Sequence, residues 1–283
     1  MQKKTQIKQL ILRIFILIIC VVAALMVLFP LYFLLTTVTH NDDDIILGNI
    51  GWFGTSFFDN LKVLNSIIKK KYSIPKAFLN SCFISFVSTG LCIYFSSLTA
   101  YACHVYDFKG KKFFEKFILF LIIIPGQLGA VGFFKMVFAL RMDDTYIPFI
   151  FPAIASASTV YFLRQYLKAN FSKEYVDAAR MDGANEFMIF NKICLPYIKA
   201  GLATMALFGI IASWNNFMGP LTFLTSRDKF TLPQIVYYLT LMEMPEYGAY
   251  YVGVFITTLP MLIVYFFLSK VIMKGVSNGG LKS

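Results

Sequence analysis

Residues 172–196 have the sequence SKEYVDAARMDGANEFMIFNKICLP, and they separate two long apolar segments. The stretch has a helical pattern, yet it carries too many charges to span a lipid bilayer. Ser172 and Asn185 are suited to cap the starts of two short helices. Gly183 supplies the backbone freedom to end the first helix, and Pro196 ends the second. The stretch therefore predicts two short helices joined by a turn around Gly183.

The composition of the rest of the chain is that of a membrane protein. Of the 283 residues, 58% are hydrophobic and 14% are charged, whereas a soluble domain carries about 25% charge. The net charge of +11 does not indicate nucleic-acid binding, because the basic residues fall at the ends of apolar runs and form no soluble basic face. The sequence predicts an all-α polytopic membrane protein.

Six apolar runs are long enough to cross a bilayer, which needs about 20 residues per helix. An interior Pro125-Gly126 is expected to kink the third run, either as structural punctuation or as a flexible joint. The predicted spans are approximately Ile14–Val38, Ile74–Ala102, Phe117–Phe138, Pro148–Leu167, Ile198–Pro220 and Gly248–Ser269. The charged stretch at 172–196 then lies between the fourth and fifth helices.

The distribution of charge predicts the orientation. If the N-terminus is cytoplasmic, 17 of the 26 basic residues and only 6 of the 15 acidic residues face the cytoplasm, as the positive-inside rule requires. We expect a cytoplasmic N-terminus at 1–13, a six-helix permease domain at 14–270 and a cytoplasmic tail at 271–283. Both termini and the stretch at 172–196 are then cytoplasmic, in a bacterial inner membrane.

Polar residues recur on one face of the second helix. Small residues on such a face favour either close packing against a neighbouring helix or the lining of a translocation path, and both interpretations stay open for Ser85 and Ser88. The fifth helix ends in Trp214-Asn215-Asn216. This segment is either part of a gate or an interfacial tryptophan whose neighbouring amides reach water.

Several kinds of site are not indicated by the sequence. It contains no nucleotide-binding or nucleophile motif, and its five cysteines and two histidines do not have metal-ligand spacing. The spans also lack the buried acidic residues on which ion-coupled carriers depend. The energy source is therefore expected outside this chain.

The stretch at 172–196 is similar to a segment of a known protein family. It resembles the EAA loop of importer permeases of the ATP-binding-cassette (ABC) class, with Asp177 where that family usually has Glu. Other segments resemble the carbohydrate-uptake branch, of the maltose-transporter second-permease type, although that branch more often has Asp at position 216. The matching segments are Asp177-Ala178-Ala179 with Gly183, Ile193-Cys194-Leu195-Pro196, Phe78-Leu79-Asn80-Ser81, Ile124-Pro125-Gly126, Phe162-Leu163-Arg164-Gln165, Ser213-Trp214-Asn215-Asn216-Phe217, Thr231-Leu232-Pro233, and Lys274-Gly275 with Gly279-Gly280.

The resemblance implies a permease subunit of an ATP-driven sugar importer, which is not itself an enzyme. Its expected partners are a second permease, two ATPase subunits that bind ATP and magnesium, an extracytoplasmic solute-binding protein and membrane lipid; no cofactor or metal is expected in this chain. The residues implied in contact with the ATPase are Glu174, Asp177, Ala178, Ala179, Asp182, Gly183, Ala184, Leu195 and Pro196. Further implied ATPase contacts in the tail are Lys274, Gly275, Gly279 and Gly280. The candidates for the translocation path are Ser85, Ser88, Trp214, Asn215 and Asn216.

Three alternatives remain open from the sequence. The first is an importer of the same class that carries a solute other than a sugar. The second is a self-contained carrier or membrane enzyme, which would need an acidic or metal-binding set within the membrane. The third concerns the loop alone, which could instead lie on the lipid surface as an amphipathic segment.

Overall fold

The computed structural model describes residues 2–69, 72–241 and 246–279, with side chains at 9–69, 72–241 and 246–271. Within these ranges the regular structure is helical, with no strand. The α-helices are α1 Gln2–Thr37, α2 Asp42–Leu47, α3 Phe57–Lys69, α4 Ile74–Val105, α5 Lys111–Ile123, α6 Ala130–Ala139, α7 Ile147–Ile150, α8 Ala157–Asn170, α9 Lys173–Met181, α10 Glu186–Met188, α11 Leu195–Tyr197, α12 Lys199–Trp214, α13 Met218–Phe223, α14 Leu232–Leu239 and α15 Tyr247–Gly279. A π-helix occupies Ile189–Cys194, and 3-10 turns occupy Gly126–Gly129, Pro152–Ile154 and Arg227–Lys229.

The described helices include several candidate membrane spans. Four are long and apolar enough to cross a bilayer: Gln9–Thr37, Ile74–Val105, Ile147–Asn170 and Tyr247–Val271. Two helix pairs also qualify if each is taken as one broken span, namely Lys111–Ile123 with Gly126–Ala139, bent by 86°, and Glu186–Tyr197 with Lys199–Trp214, bent by 78°. The all-helical prediction is thus confirmed for the described residues, which contain four to six candidate spans.

The predicted and observed helices differ at the fifth span. The prediction ran to Pro220, but α12 ends at Trp214 and α13 starts at Met218. Asn216 explains the interruption, because its side-chain oxygen accepts a hydrogen bond from the Gly219 N–H at 3.1 Å, the local bond by which Asn competes with a helix. The predicted continuous helix to Pro220 was therefore wrong.

The described residues form two compact units, within 1–71 and 236–258 and within 72–235 and 259–283. In the first unit, Asn60 of α3 is buried and donates to the carbonyls of Val38, at 3.1 Å, and His40, at 2.7 Å. The start of α15 lies against it, since a Cβ at Gly248 would come within 2.4 Å of the Asn60 amide oxygen. Glycine at this position allows the close approach.

In the second unit, α4 and α8 form the centre, and α9 with the π-helix packs across their ends. The buried cluster consists of Ala100, Tyr101, Val105, Leu163, Leu167, Phe171, Val176, Ala179, Ile189, Phe190, Cys194 and Ile198. Helix α12 lies close to α4, because a Cβ at Gly209 would be 2.8 Å from Cγ2 of Thr89. The stretch at 172–196 is therefore packed onto the helix ends and does not project freely.

Candidate functional site

The stretch at 172–196 forms the helix, turn and helix that its sequence predicts. The Ser172 hydroxyl accepts from the Glu174 N–H at 3.2 Å, and the Asn185 side chain accepts from the Met188 N–H at 2.8 Å. Gly183 has φ +81°, in the left-handed region that glycine adopts most readily.

Two backbone hydrogen bonds close the turn after α9. The Gly183 N–H donates to the Arg180 carbonyl and the Ala184 N–H donates to the Ala179 carbonyl, each at 3.0 Å. This pair of bonds is the Schellman arrangement, which satisfies the last carbonyls of a helix and fixes the direction in which the chain leaves it. The turn is thus rigidly specified.

The second helix departs from prediction near its end. Pro196 was expected to terminate it, but Pro196 lies inside α11, and the chain bends after it, at Ile198. Since proline has no N–H to donate to the preceding turn, it is tolerated in the first turn of a helix, and the wider π-helix directly before it marks where the regular pattern is lost. The prediction for Pro196 was therefore wrong by two residues.

A polar cluster ties the loop to the end of α4. The Glu186 carboxylate accepts from Arg180 Nε at 2.7 Å, from the Tyr106 hydroxyl at 2.5 Å and from the Tyr101 hydroxyl at 3.3 Å. Arg180 also donates to Asp177 at 3.1 Å and lies 5.9 Å from the centre of the Tyr106 ring. The hydrogen bond to Glu186 raises the pKa of Arg180. Glu186 therefore joins both halves of the loop to α4.

The Glu186 carboxylate also affects the ionisation of the Tyr106 phenol. Burial, followed by the hydrogen bond to Glu186, raises the pKa of the Tyr106 phenol. The sequence does not indicate this cluster, because Glu186 lies 80 residues from Tyr106 and 85 from Tyr101. The cluster keeps Tyr106 as a neutral hydrogen-bond donor to the loop.

The loop has a buried face and an exposed face. Val176, Ile189 and Phe190 are at most 1% exposed, whereas Met181 is 88% and Phe187 is 72% exposed. Of the residues implied by the resemblance, Ala179 is buried and Ala184 and Leu195 are half-buried; those exposed are Glu174, Asp177, Ala178, Asp182, Gly183 and Pro196. The loop thus presents a surface of apolar and acidic side chains around the turn.

An open cleft of about 390 Å³ lies between α4, α8 and α12. Ser88 and Asn216 line it, and Ser88 is hydrogen-bonded to Ser213 at 3.1 Å. Other polar residues of its lining are Thr89, Cys92, Ser156, Ser158 and Thr159. The cleft therefore has a mixed lining, in which hydroxyl groups of α4 and α8 lie among apolar residues such as Phe149, Met205 and Phe208.

The remaining candidates for the translocation path differ in how far their side chains are buried. Ser85 is 1% exposed and lines a small neighbouring cavity with Trp214 and Asn216. Trp214 is 2% exposed and packs edge to face against Phe78, with ring centres 5.9 Å apart, so it is not the interfacial tryptophan considered as an alternative. Asn215 is exposed.

A second polar cluster fastens the connection after α6 to the connection after α13. Asp144 accepts from the backbone of Thr225 at 3.0 Å, from the backbone of Ser226 at 2.9 Å and from Lys229 Nζ at 2.9 Å. Burial opposes ionisation of Asp144, but the hydrogen bonds from Ser226, Lys229 and Thr225 outweigh it and hold its pKa well below the usual range. No local pattern of the sequence indicates this cluster, since the partners of Asp144 are at least 81 residues away.

Two sets of expectations concern the tail and metals. Lys274, Gly275 and Gly279 lie in α15 but outside the residues with described side chains, and Gly280 lies outside the described residues altogether. Among the residues with described side chains, no group of three or more His, Cys, Asp and Glu could hold a metal ion.

Comparison with known proteins gives consistent matches. Residues 1–278 match the family model described as binding-protein-dependent transport system inner membrane component. The arabinooligosaccharides transport system permease protein AraQ of Halalkalibacterium halodurans is 39% identical over 72% of this chain and 73% of that protein. The lactose transport system permease protein LacG of Rhizobium radiobacter is 31% identical over 89% of this chain and 90% of that protein.

A solved structure is also similar in fold. One chain of a bacterial ABC transporter involved in the import of the acidic polysaccharide alginate superimposes with a TM-score of 0.74. The match covers 91% of this chain and 96% of that chain, at 21% sequence identity. At that identity the likeness concerns the fold.

Proposed function

The chain belongs to the family of binding-protein-dependent transport system inner membrane components, and we propose that it forms one half of the pore of an ATP-driven importer of oligosaccharides. It is a multi-pass membrane protein and an ABC transporter permease subunit, not an enzyme. The observation that carries the sugar assignment is the 39% identity to AraQ over 72% of the chain. LacG, a lactose permease by name, supports the same class of cargo.

The proposed topology has six spans. The bent pair Lys111–Ile123 with Gly126–Ala139 counts as one broken span, and the fifth span begins at Lys199, after the bend that separates it from Glu186–Tyr197. Both termini and the loop at 172–196 then face the cytoplasm, which the excess of basic residues on that side supports. The loop is thereby placed between the fourth and fifth spans, in reach of cytoplasmic ATPase subunits.

The loop at 172–196 is proposed to couple the pore to an ATPase subunit. Its turn is rigid, and around the turn Met181 and Phe187 are exposed. Large exposed apolar side chains rimmed by charge are typical of a protein interface, and Asp177 and Glu174 supply acidic groups for basic partners. Seating this surface in a groove of the ATPase would make the loop follow the movement of that subunit.

Three helices would carry the movement into the membrane. The loop is continuous with α8 and α12, and Glu186 adds a side-chain connection to α4 through Tyr101 and Tyr106. Since Ser88 and Thr89 of α4 line the cleft together with residues of α8 and α12, a displacement of the loop would act on all three walls. We therefore assign the cleft, with Ser88 and Asn216, to the translocation path.

The proposed assembly contains a second permease, two ATPase subunits and a solute-binding protein outside the membrane. ATP and magnesium bind on the ATPase subunits. The connections at 39–73 and 221–247 are the segments expected to meet the solute-binding protein, because they lie on the side opposite the loop at 172–196 in the proposed topology.

The test is reconstitution of the four-part assembly in liposomes with the solute-binding protein. Expected is ATP-dependent accumulation of a labelled arabinooligosaccharide or of lactose, which stops when the ATPase subunits or the binding protein are omitted. Uptake by the chain alone would contradict the assignment and favour a self-contained carrier. A binding protein that takes amino acids in place of sugars would keep the importer and overturn the cargo.

A further inference from the structure

The connection between α1 and α3 folds back along α1. The Tyr32 hydroxyl donates to the Gly51 carbonyl at 2.7 Å. Tyr32 lies five residues before the end of α1 at Thr37, which is about 7 to 8 Å along the axis at the rise of an α-helix. The tip of the connection therefore lies beside the candidate span at Gln9–Thr37 and not beyond its end.

Several hydrogen bonds hold this position. The Thr39 hydroxyl accepts from the Gly54 N–H at 2.8 Å, and the Thr39 carbonyl accepts from the Ser56 N–H at 2.7 Å. His40 Nε2 donates to the Trp52 carbonyl at 2.7 Å. A Cβ at Gly54 would come within 2.5 Å of the Thr39 carbonyl oxygen, so the close approach depends on glycine. The connection is a built element with a fixed direction.

This element presents two aromatic side chains outward. Trp52 is 77% and Phe53 is 54% exposed. Phe53 packs edge to face on Tyr32, with ring centres 6.3 Å apart, and Trp52 packs on Phe53 at 6.4 Å. The aromatic patch formed by Tyr32, Trp52 and Phe53 is continuous with the surface of α1, where Phe29 is also exposed and none of the most apolar segment is buried.

We propose that Trp52 and Phe53 insert into the lipid leaflet at the C-terminal end of α1, as an anchor that sets the depth of that helix. Tryptophan prefers the boundary between headgroups and acyl chains, where its ring is apolar and its N–H remains hydrated. For these two side chains the depth favours lipid, because a soluble partner such as the solute-binding protein meets the ends of the spans and not their sides; the rest of the connection at 39–73 stays available to that protein. The inference does not depend on the transported solute.

The experiment measures quenching of Trp52 fluorescence by brominated lipids in the whole assembly, reconstituted in lipid nanodiscs. The Trp52 signal is the difference in fluorescence between the wild-type assembly and the Trp52→Phe assembly. The fluorescence of all other tryptophans is common to both assemblies and cancels in this difference. We expect lipids brominated near the headgroup to remove roughly half of this signal, and lipids brominated deep in the acyl chain to remove less. The matched control is the Trp214 signal, obtained in the same way with Trp214→Phe, which should change little because Trp214 is 2% exposed.

Two results would overturn the anchor. One is a Trp52 signal that neither brominated lipid affects, which would mean that the partner permease covers this surface. The other is a Trp52 signal that changes only when the solute-binding protein is added, which would make the patch a docking surface for that protein. Phenylalanine keeps an apolar ring at position 52, so folding should persist, and the measurement needs no transport. A failed uptake assay would therefore leave this result unaffected.

Discussion

Substitution of Gly183 separates the backbone role of the turn from its contact with an ATPase subunit. Gly183 has φ +81°, and a Cβ at this position meets no atom of the described residues within 4 Å. Alanine therefore clashes with none of them. The cost of Gly183→Ala is therefore conformational only. Placing a non-glycine residue in the left-handed region costs about 1 kcal/mol, which changes the equilibrium constant for forming the turn roughly fivefold.

Asparagine is the informative second variant. It adopts the left-handed region more readily than alanine does, yet its side chain is larger. If strain alone decides, Gly183→Ala should reduce uptake more than Gly183→Asn, and by no more than roughly fivefold. If the turn sits in a groove of the ATPase, both variants should reduce uptake by more than roughly fivefold, and Gly183→Asn should reduce it more than Gly183→Ala does.

We expect the second pattern, because the empty space around Gly183 lies on the exposed face of the loop. The assay is ATP-dependent uptake in proteoliposomes, with ATP hydrolysis and recovery of the intact assembly measured in parallel. Gly110→Ala is the matched control, since Gly110 has φ +90° and also has no atom within 4 Å of a Cβ. Normal uptake by Gly183→Asn, with a loss in Gly183→Ala no greater than in Gly110→Ala, would refute the groove contact.

Three further predictions concern other contacts of the structure. Glu186→Gln should lower uptake per ATP by roughly threefold, as expected when a coupling network is weakened, whereas Asp107→Asn, at an exposed carboxylate that pairs with Lys111, should not; equal ratios would contradict the connection to α4. Asp144→Asn should lower the free energy of unfolding by about 2 kcal/mol at neutral pH. Because the folded pKa of Asp144 is depressed, this contribution is present above an ordinary aspartate pKa of about 4 and is lost as the pH falls further; parallel stability curves for both proteins would refute it. Gly209→Ala should cost about 1–3 kcal/mol through overpacking against α4, while Gly90→Ala, whose Cβ would meet nothing within 4 Å, should leave the melting temperature nearly unchanged.

Much of the architecture followed from local properties of the sequence. The apolar runs indicated the candidate spans, and the break at Pro125 appeared where proline removes a donor. The turn at Gly183 could also be predicted from the sequence, because a helix cap and a positive φ depend on adjacent residues. The errors were also local: Asn216 and Pro196 each act through neighbouring backbone groups, and periodicity alone does not report those bonds.

The candidate cleft could be predicted from the sequence only in part. The serine face of α4 was visible as a repeat of small polar residues, but a repeat does not distinguish a helix seam from a cavity wall. The structure combines both, since Ser88 bonds to Ser213 of α12 and also lines the cleft. Trp214 could not be placed from its neighbours, because its burial depends on Phe78, which is far away in the chain.

The sequence by itself determined a helical membrane chain, the charged stretch at 172–196 and the turn at Gly183, because hydropathy, capping and backbone freedom act over a few residues. Only the tertiary structure decided that Glu186 binds Tyr101 and Tyr106, that Asp144 binds Ser226 and that Trp52 lies beside α1. The first two pairings join residues 80 or more positions apart, and the third needs the connection to fold back 19 residues onto Tyr32. Such contacts depend on how helices pack, and no local pattern encodes them.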